Sequence, residues 1–321
     1  MAELNLYQED DIRLETTRAR FSDVLKRHAE LSERLSRDSN KMIFDRLQKE
    51  FAAARASQTQ EIIVDGEQWN DGLIATIRER VHMEAHRKTM PGDLSSGADI
   101  LEKVTYKVGN KVICGLEGAR IGIQYETFFA GEPCEIYHIV LESKSFIEKM
   151  SILEHTVPFF LPIREVENDL LSSNAMKFID HIGELLQAYV DRREQVRLLK
   201  ELYGNQIGDL YSSLPFHMIE FMLNDAECKI TVTLRYADLL SVLPTRARVL
   251  VWPPSNSRKS SPGPASAHGR TSGVFVNQHF PIRLSYAEQA FQTMSLPEAY
   301  AEVVLNLSRA LEQIYRQKGS S

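Results

Sequence analysis

The chain reads as an α+β protein: an N-terminal coiled-coil helix followed by two tandem units, each an antiparallel sheet packed by the helices that come after it. Three observations lead there. Apolar residues recur at heptad spacing near the N-terminus, short alternating segments divided by glycine- and proline-containing turns follow, and one order of elements occurs twice. His155-Thr-Val-Pro-Phe-Phe-Leu-Pro-Ile163 has prolines four apart and leads into a short amphipathic stretch and a long helix. Near the C-terminus, Val274-Phe-Val-Asn-Gln-His-Phe-Pro-Ile282 leads into the same succession, with Pro281-Ile282-Arg283 repeating Pro162-Ile163-Arg164. Asn174 and Ser295 stand as caps before the two long helices.

Residues 1–57 are expected to form the coil. Leu14, Phe21, His28, Leu35 and Met42 are seven apart, with Val24 and Leu31 at companion positions. The seam expected to bind a partner helix is therefore Leu14, Phe21, Val24, Leu31 and Leu35. Thr17, Asp38 and Asp45 interrupt it, and after Leu35 the pattern shifts to Ile43, Leu47 and Phe51 at four-residue steps. Residues 1–60 carry 11 acidic and 11 basic side chains, which suits a solvated coil exterior better than a nucleic-acid-binding arm.

Residues 58–100 read as a connecting segment holding the first helix of the first unit, with Trp69, Leu73, Ile74, Ile77 and Val81 on one face. The first unit, 101–203, is expected to hold strands at 104–108, 111–114, 119–129 and 134–142, then a helix from Ala175 to Tyr203. The second unit, 204–321, is expected to hold strands at 216–223, 228–236 and 248–252. A helix then opens on Ser295 and Glu298, a capping box, and buries Tyr300, Val303, Val304, Leu307, Leu311 and Ile314. Between Pro253 and Gly273 lie four prolines, six serines, three glycines and no acidic residue, so this loop is expected to be disordered.

The composition narrows the function. At 321 residues with 43% apolar content the chain is long enough for two cores, and a net charge of −6 gives no global attraction to nucleic acid. Cys114, Cys134 and Cys228 form no CxxC pair, and no apolar run long enough for a signal peptide or a membrane span occurs, so a reducing compartment is expected. No phosphate-binding loop, HExxH, GxSxG or dinucleotide turn is present; no catalytic, cofactor or metal residues are expected. Cys134, His138 and His155 read as a buried cysteine and edge histidines rather than a thiol–imidazole pair. Glu126, Glu132 and Glu135 read as solvated, and Arg192, Arg193, Arg197 and Lys200, interleaved with Glu194 and Glu201, as an ordinary helix surface.

The sheet ending in Pro158-x-x-x-Pro162, then a short and a long helix, resembles the RWD domain, with Val157 where that family has a tyrosine. Two such units behind a coil resemble the CENP-O family of inner-kinetochore subunits. The resemblance is carried by His155-x-Val157-Pro158-x-x-x-Pro162, by Leu186-Gln-Ala-Tyr189, and by Tyr236-Ala-Asp-Leu239 with Leu243-Pro-Thr245. It spans roughly residues 100–250, and the 253–273 loop departs from it. The motif residues are Val157, Pro158, Pro162 and Ile163, with Pro281 and Ile282 in the second copy. The resemblance implies a non-enzymatic nuclear role at the centromere in chromosome segregation, with no cofactor and no membrane. It also implies pairing with a CENP-P-like tandem-RWD protein and assembly with CENP-Q- and CENP-U-like subunits; direct DNA contact is left open. The alternative is a coiled-coil RWD adaptor outside the kinetochore or a non-catalytic cofactor of ubiquitin-like transfer. Catalytic ubiquitin transfer needs a cysteine after a His-Pro-Asn turn, and His279-Phe-Pro281 is only a distant analogue.

Overall fold

The computed structural model describes residues 24, 27, 30, 39–57, 60–64, 71–89, 104–143, 149–224, 228–252 and 281–319. The seam positions Leu14, Phe21, Leu31 and Leu35, the face residue Trp69 and the 253–273 loop lie outside them. Described residues 39–56 form helix α1. Strand β1 (Gln60–Ile63), helix α2 (Asp71–Thr89) and strands β2 (Val104–Val108), β3 (Lys111–Gly115), β4 (Arg120–Phe129), β5 (Glu132–Glu142) and β6 (Ser151–His155) follow. Helix α3 (Ile163–Val166), one π-helical turn (Glu167–Leu171) and helix α4 (Ala175–Tyr203) come next. The second half contains β7 (Ile207–Ser212), β8 (Met218–Asn224), β9 (Lys229–Arg235), β10 (Arg246–Trp252), β11 (Ile282–Arg283), α5 (Ser285–Thr293) and α6 (Leu296–Gly319).

The strands form two separate sheets, in the orders β1-β2-β3-β4-β5-β6 and β11-β10-β9-β8-β7. Both are chiefly antiparallel meanders: every connection from β2 to β6 and from β7 to β10 is too short for a parallel crossover, which needs a dozen or more residues. β1 is the exception: it adds to β2 in parallel after the excursion through α2. The β4–β5 turn has two residues, Ala130 and Gly131, with φ of 51° and 86°. Two consecutive positive φ values define a type I′ turn, whose twist matches the paired strands.

The fold divides into two compact units. One comprises Met1–Tyr125, Ile136–Val157 and Glu167–Met176; the other comprises Glu126–Glu135, Pro158–Val166 and Lys177–Ser321. The β4–β5 hairpin tip therefore belongs with the second unit.

In the first unit, α1 docks on its own sheet. Leu47 and Phe51 are buried with Cys114, Leu116 and Val140, and Ile43 and Ala54 pack around them. This is where the four-residue apolar steps after Leu35 are satisfied: a stripe read as coil continues into an intramolecular core. Arg46 pairs with Glu154, and Arg120 donates to Glu50 at 2.6 Å, closing both sides of the contact. Met42, at the heptad position, stays 73% exposed. On α2, Ile74, Ile77 and Val81 are buried as their spacing requires.

His138 lies inside this core, its ring 4.6 Å from that of Phe51 and 5.8 Å from that of Phe44. Burial pushes its pKa down to about 4, well below the ordinary 6.5. The folded state thus holds His138 neutral while the unfolded chain takes up a proton below about 6.5. Stability from this residue is intact above pH 6.5, is lost as pH falls toward 4, and changes no further below. The loss amounts to about 3 kcal/mol. Urea unfolding of the wild type and of His138→Leu across pH 7 to 4 should show the stability gap between them shift by that amount in favour of the variant.

The second unit packs α5, α6 and the C-terminal part of α4 on the inner face of its sheet. Val196, Leu199, Phe221, Val232, Val249, Phe291 and Tyr300 are core members. Tyr300, Val303, Leu307 and Leu311 of the expected α6 stripe are buried, whereas Val304 is 37% exposed; on α4, Leu202 is 56% exposed. Both residues sit at the margin of a stripe, where the sheet no longer covers the helix. Glu298 accepts the Ser295 N–H at 3.3 Å as well as its hydroxyl at 2.7 Å, and Gln195 of α4 accepts the Leu296 N–H at 2.9 Å, so two side chains satisfy backbone donors at the start of α6.

The two Pro-Ile-Arg copies differ in conformation. Pro162 accepts the Val166 N–H and Ile163 opens α3, whereas Ile282 and Arg283 form β11 opposite Val251 and Leu250. The order of short helix, cap position and long helix recurs; the triplets themselves serve as helix start in one copy and edge strand in the other.

Candidate interaction surface

The proline turn is held by its own backbone. Leu161 donates to the Pro158 carbonyl at 3.0 Å and Ile163 to that of Leu161 at 2.8 Å. Val157 and Ile163 are buried, while Pro158 and Pro162 are partly exposed. Of the three residues between the prolines, Leu161 turns inward and is 3% exposed, whereas Phe159 projects outward and is 80% exposed.

Phe159 begins an aromatic row within the second unit. Its ring meets Phe160 edge-on at 5.4 Å, Phe160 meets Tyr189 at 5.2 Å, and Tyr189 meets Phe216 at 6.1 Å. The Arg193 guanidinium lies 5.6 Å from the Tyr189 ring and grips both carboxylate oxygens of Glu135 at 2.8 and 2.7 Å. Gln187, one helical turn before Asp191, imitates a strand partner: it donates to the Phe128 carbonyl at 2.6 Å and accepts the Phe128 N–H at 3.2 Å. Thus Leu186-Gln-Ala-Tyr189 divides its work, with Leu186 and Ala188 in the core, Gln187 on the hairpin tip and Tyr189 in the aromatic row.

Arg192 is the anchor of this region and is fully buried. Its Nη1 donates to the carbonyls of Leu239 at 2.8 Å and Ser241 at 2.7 Å, its Nε donates to that of Pro215 at 3.2 Å, and the guanidinium sits 5.5 Å from the Tyr236 ring. One side chain therefore ties the β7–β8 turn and the 236–245 loop to α4. Asp238 completes the loop by accepting from the Leu240 and Ser241 N–H groups and from the Ser241 hydroxyl. The Ser241 hydroxyl and N–H bonds hold the Asp238 carboxyl below its ordinary pKa.

Phe216 stands beside this anchor with φ of 54°, the left-handed region, which costs a bulky residue on the order of 1–2 kcal/mol. The Arg192 bond to Pro215 and the Tyr189 ring hold it there. The two anchored segments present Leu214, Val242 and Leu243 at 62%, 39% and 37% exposure. Together with Phe159 they are apolar groups that rigid backbone displays outward on one unit, the character of a protein contact rather than of a reaction centre.

The reactive side chains point the same way. Burial raises the Cys114 thiol to about 12 and also pushes the Cys134 thiol upward, so neither is poised as a thiolate. Of the helix cations read from sequence as one solvated set, Arg192 is internal, while Arg193 and Arg197 both pair with Glu194 at 2.9 and 2.6 Å. Burial pushes the Glu194 carboxyl up, but these bonds outweigh it and hold the pKa below the usual value. The structure places the seam residue Val24 in helical conformation at 63% exposure. Pro281 and Ile282 lie at the β11 edge, distant in sequence from the aromatic row. The anchoring role of Arg192 has no sequence signature, because its partners are carbonyl groups that any residue supplies.

A family model described as "Cenp-O kinetochore centromere component" matches residues 104–309, which takes in both sheets from β2 onward and most of α6. The chain is 28% identical over 132 residues to Centromere protein O of Gallus gallus, covering 40% of this chain and 40% of that protein. It is 24% identical over 191 residues to Centromere protein O of Xenopus tropicalis, covering 54% of this chain and 61% of that protein. The matched segments thus span between two and three fifths of these relatives' lengths. Among the described residues, no helix is long and apolar enough to cross a membrane.

Proposed function

Since the chain belongs to the Cenp-O kinetochore centromere component family, we propose that it is a non-enzymatic structural subunit of the inner kinetochore in the nucleus, required for chromosome segregation. It pairs with a CENP-P-like tandem-RWD protein, and the pair assembles with CENP-Q- and CENP-U-like subunits. The observation that carries this reading is the family match across both sheets; the displayed aromatic Phe159 and the unactivated thiols support a role in contact rather than catalysis. The two sheet-and-helix units are the RWD-like domains of this reading, behind the coil expected at 1–57, whose last turns, from Ile43 to Ala54, pack on the first sheet.

The division of labour is that the second unit's apolar surface, centred on Phe159 and Leu214, receives the CENP-P-like partner. The seam Leu14, Phe21, Val24, Leu31 and Leu35 receives a helix of another subunit, and the exposure of Val24 suits a seam position that a partner covers. Co-purification from dividing cells tests both arms, together with imaging of the tagged chain. Phe159→Glu should lose the CENP-P-like partner by tenfold or more while its melting temperature stays unchanged. Phe21→Asp with Leu35→Asp should keep that partner and lose the CENP-Q- and CENP-U-like proteins, because a buried unpaired charge costs several kcal/mol in a seam. Failure of the wild-type chain to concentrate at centromeres would overturn the kinetochore reading; retention of every partner by both variants would overturn the surface assignment.

A further inference from the structure

The outer face of the second sheet carries a feature that neither the fold nor the proposed pairing uses. Arg235 of β9, Arg246 and Arg248 of β10 and Arg283 of β11 line one concavity of about 580 Å³, with Thr233 and Gln292 beside them. Arg235 and Arg246 are directly opposite in the antiparallel register. Like charges facing one another across strands are destabilising, and a sheet kept for stability alone would place opposite charges there. Glu220 lines the same concavity, yet among the described residues Arg235, Arg246 and Arg248 form no ion pair. Arg283 differs: its Nε and Nη2 groups are fixed on Glu288, whose other bond is to the Val249 N–H.

Strand neighbours stand about 4.8 Å apart and alternate residues of one strand about 6.8 Å apart, so the guanidinium groups of Arg235, Arg246 and Arg248, which line the same concavity, can reach one small anion together. A single carboxylate would leave the opposed pair short of charge. A phosphate monoester brings a charge of about −1.5 to −2 and three acceptor oxygens, which two arginine forks satisfy together. Nucleic acid is the poorer fit. Three or four phosphate contacts give only weak salt-sensitive affinity, and the remainder of a chain with net charge −6 would oppose an extended polyanion.

We infer that this face recognises a phosphorylated serine or threonine in a segment of a partner protein, with Arg235 and Arg246 clasping the phosphate and Arg248 its flank. The inference rests on the sheet face and stands apart from the kinetochore assignment.

Fluorescence anisotropy with the full chain at physiological salt tests it. The probes are a labelled glycine-serine-glutamate peptide carrying one phosphoserine, the same peptide unphosphorylated, and a mixed-sequence 20-base-pair DNA duplex. The phosphopeptide should bind at least tenfold more tightly than its unphosphorylated twin and more tightly than the duplex. Arg235→Gln with Arg246→Gln should abolish that preference with the melting temperature unchanged or raised, since a like-charge pair has been removed; Arg248→Gln alone should weaken it several-fold. Equal binding of the two peptides, no binding of either, or tighter binding of the duplex would each overturn the inference. So would a phosphate preference that survives both variants.

Discussion

Replacing Arg192 with leucine is expected to destabilise the chain by about 3–5 kcal/mol, the largest effect of any single substitution outside the apolar cores. The leucine keeps the helix and much of the packing volume but withdraws the donors from the carbonyls of Pro215, Leu239 and Ser241. Charge-assisted bonds of this kind contribute more than neutral ones, and these partly buried carbonyls carry a desolvation cost when left without partners. The 236–245 loop and the 213–217 turn should then open together, because one guanidinium holds both. Arg192→Lys should rescue less than half of the loss: a lysine ammonium is a compact head without the planar fork that reaches Nε and Nη1 partners at once. Urea unfolding measures the loss, and limited proteolysis should place new cleavage between Tyr236 and Thr245. Wild-type stability in the leucine variant would mean that Asp238 and the backbone suffice to hold the loop.

Phe51→Ala should cost about 3–5 kcal/mol and release α1 from the first sheet. The ring is 1% exposed and sits over Gly122 of β4, where an added Cβ would lie 2.6 Å from its Cζ and 2.8 Å from its Cε1. Such an approach is closer than two carbons tolerate, so Gly122→Ala must displace the ring, and the packing of Leu47 and His138 against it leaves little room. The two substitutions report on one contact and should be non-additive: the alanine at 122 should cost much less when residue 51 is already alanine. Hydrogen exchange of the 39–56 amides, followed with thermal melts of all four combinations, checks this. Additive losses would show that the ring and the glycine do not act as one contact.

The alternation and the glycine- and proline-containing turns carry much of this architecture, because each depends on neighbours a few residues away. Strands 104–108 and 111–114, the β4–β5 hairpin, α2 and α4 fall where period and turn residues put them. β1 and β7 do not announce themselves. Gln60–Ile63 has a largely exposed pattern, and Ile207–Ser212 contains a glycine and an aspartate; both are edge strands whose pairing with β2 and β8 supplies what propensity lacks. The apolar stripe of residues 43–51 likewise states that something will cover it, while the identity of the cover, the chain's own sheet, depends on residues 60 and more positions away.

The candidate surfaces follow the same division. The spacing of Pro158 and Pro162 can be read as a turn, but not which apolar residue it displays: Phe159 is 80% exposed and Leu161 3%. The roles of Arg192 and of the opposed Arg235–Arg246 pair cannot be read from the sequence either. A charged residue on a helix has the same local pattern whether it faces water or three carbonyls, and the register that sets two arginines face to face belongs to strand pairing. Periodicity specifies which faces are apolar; long-range packing and register assign each face its neighbour, and the burial and charge of the polar residues follow from that neighbour.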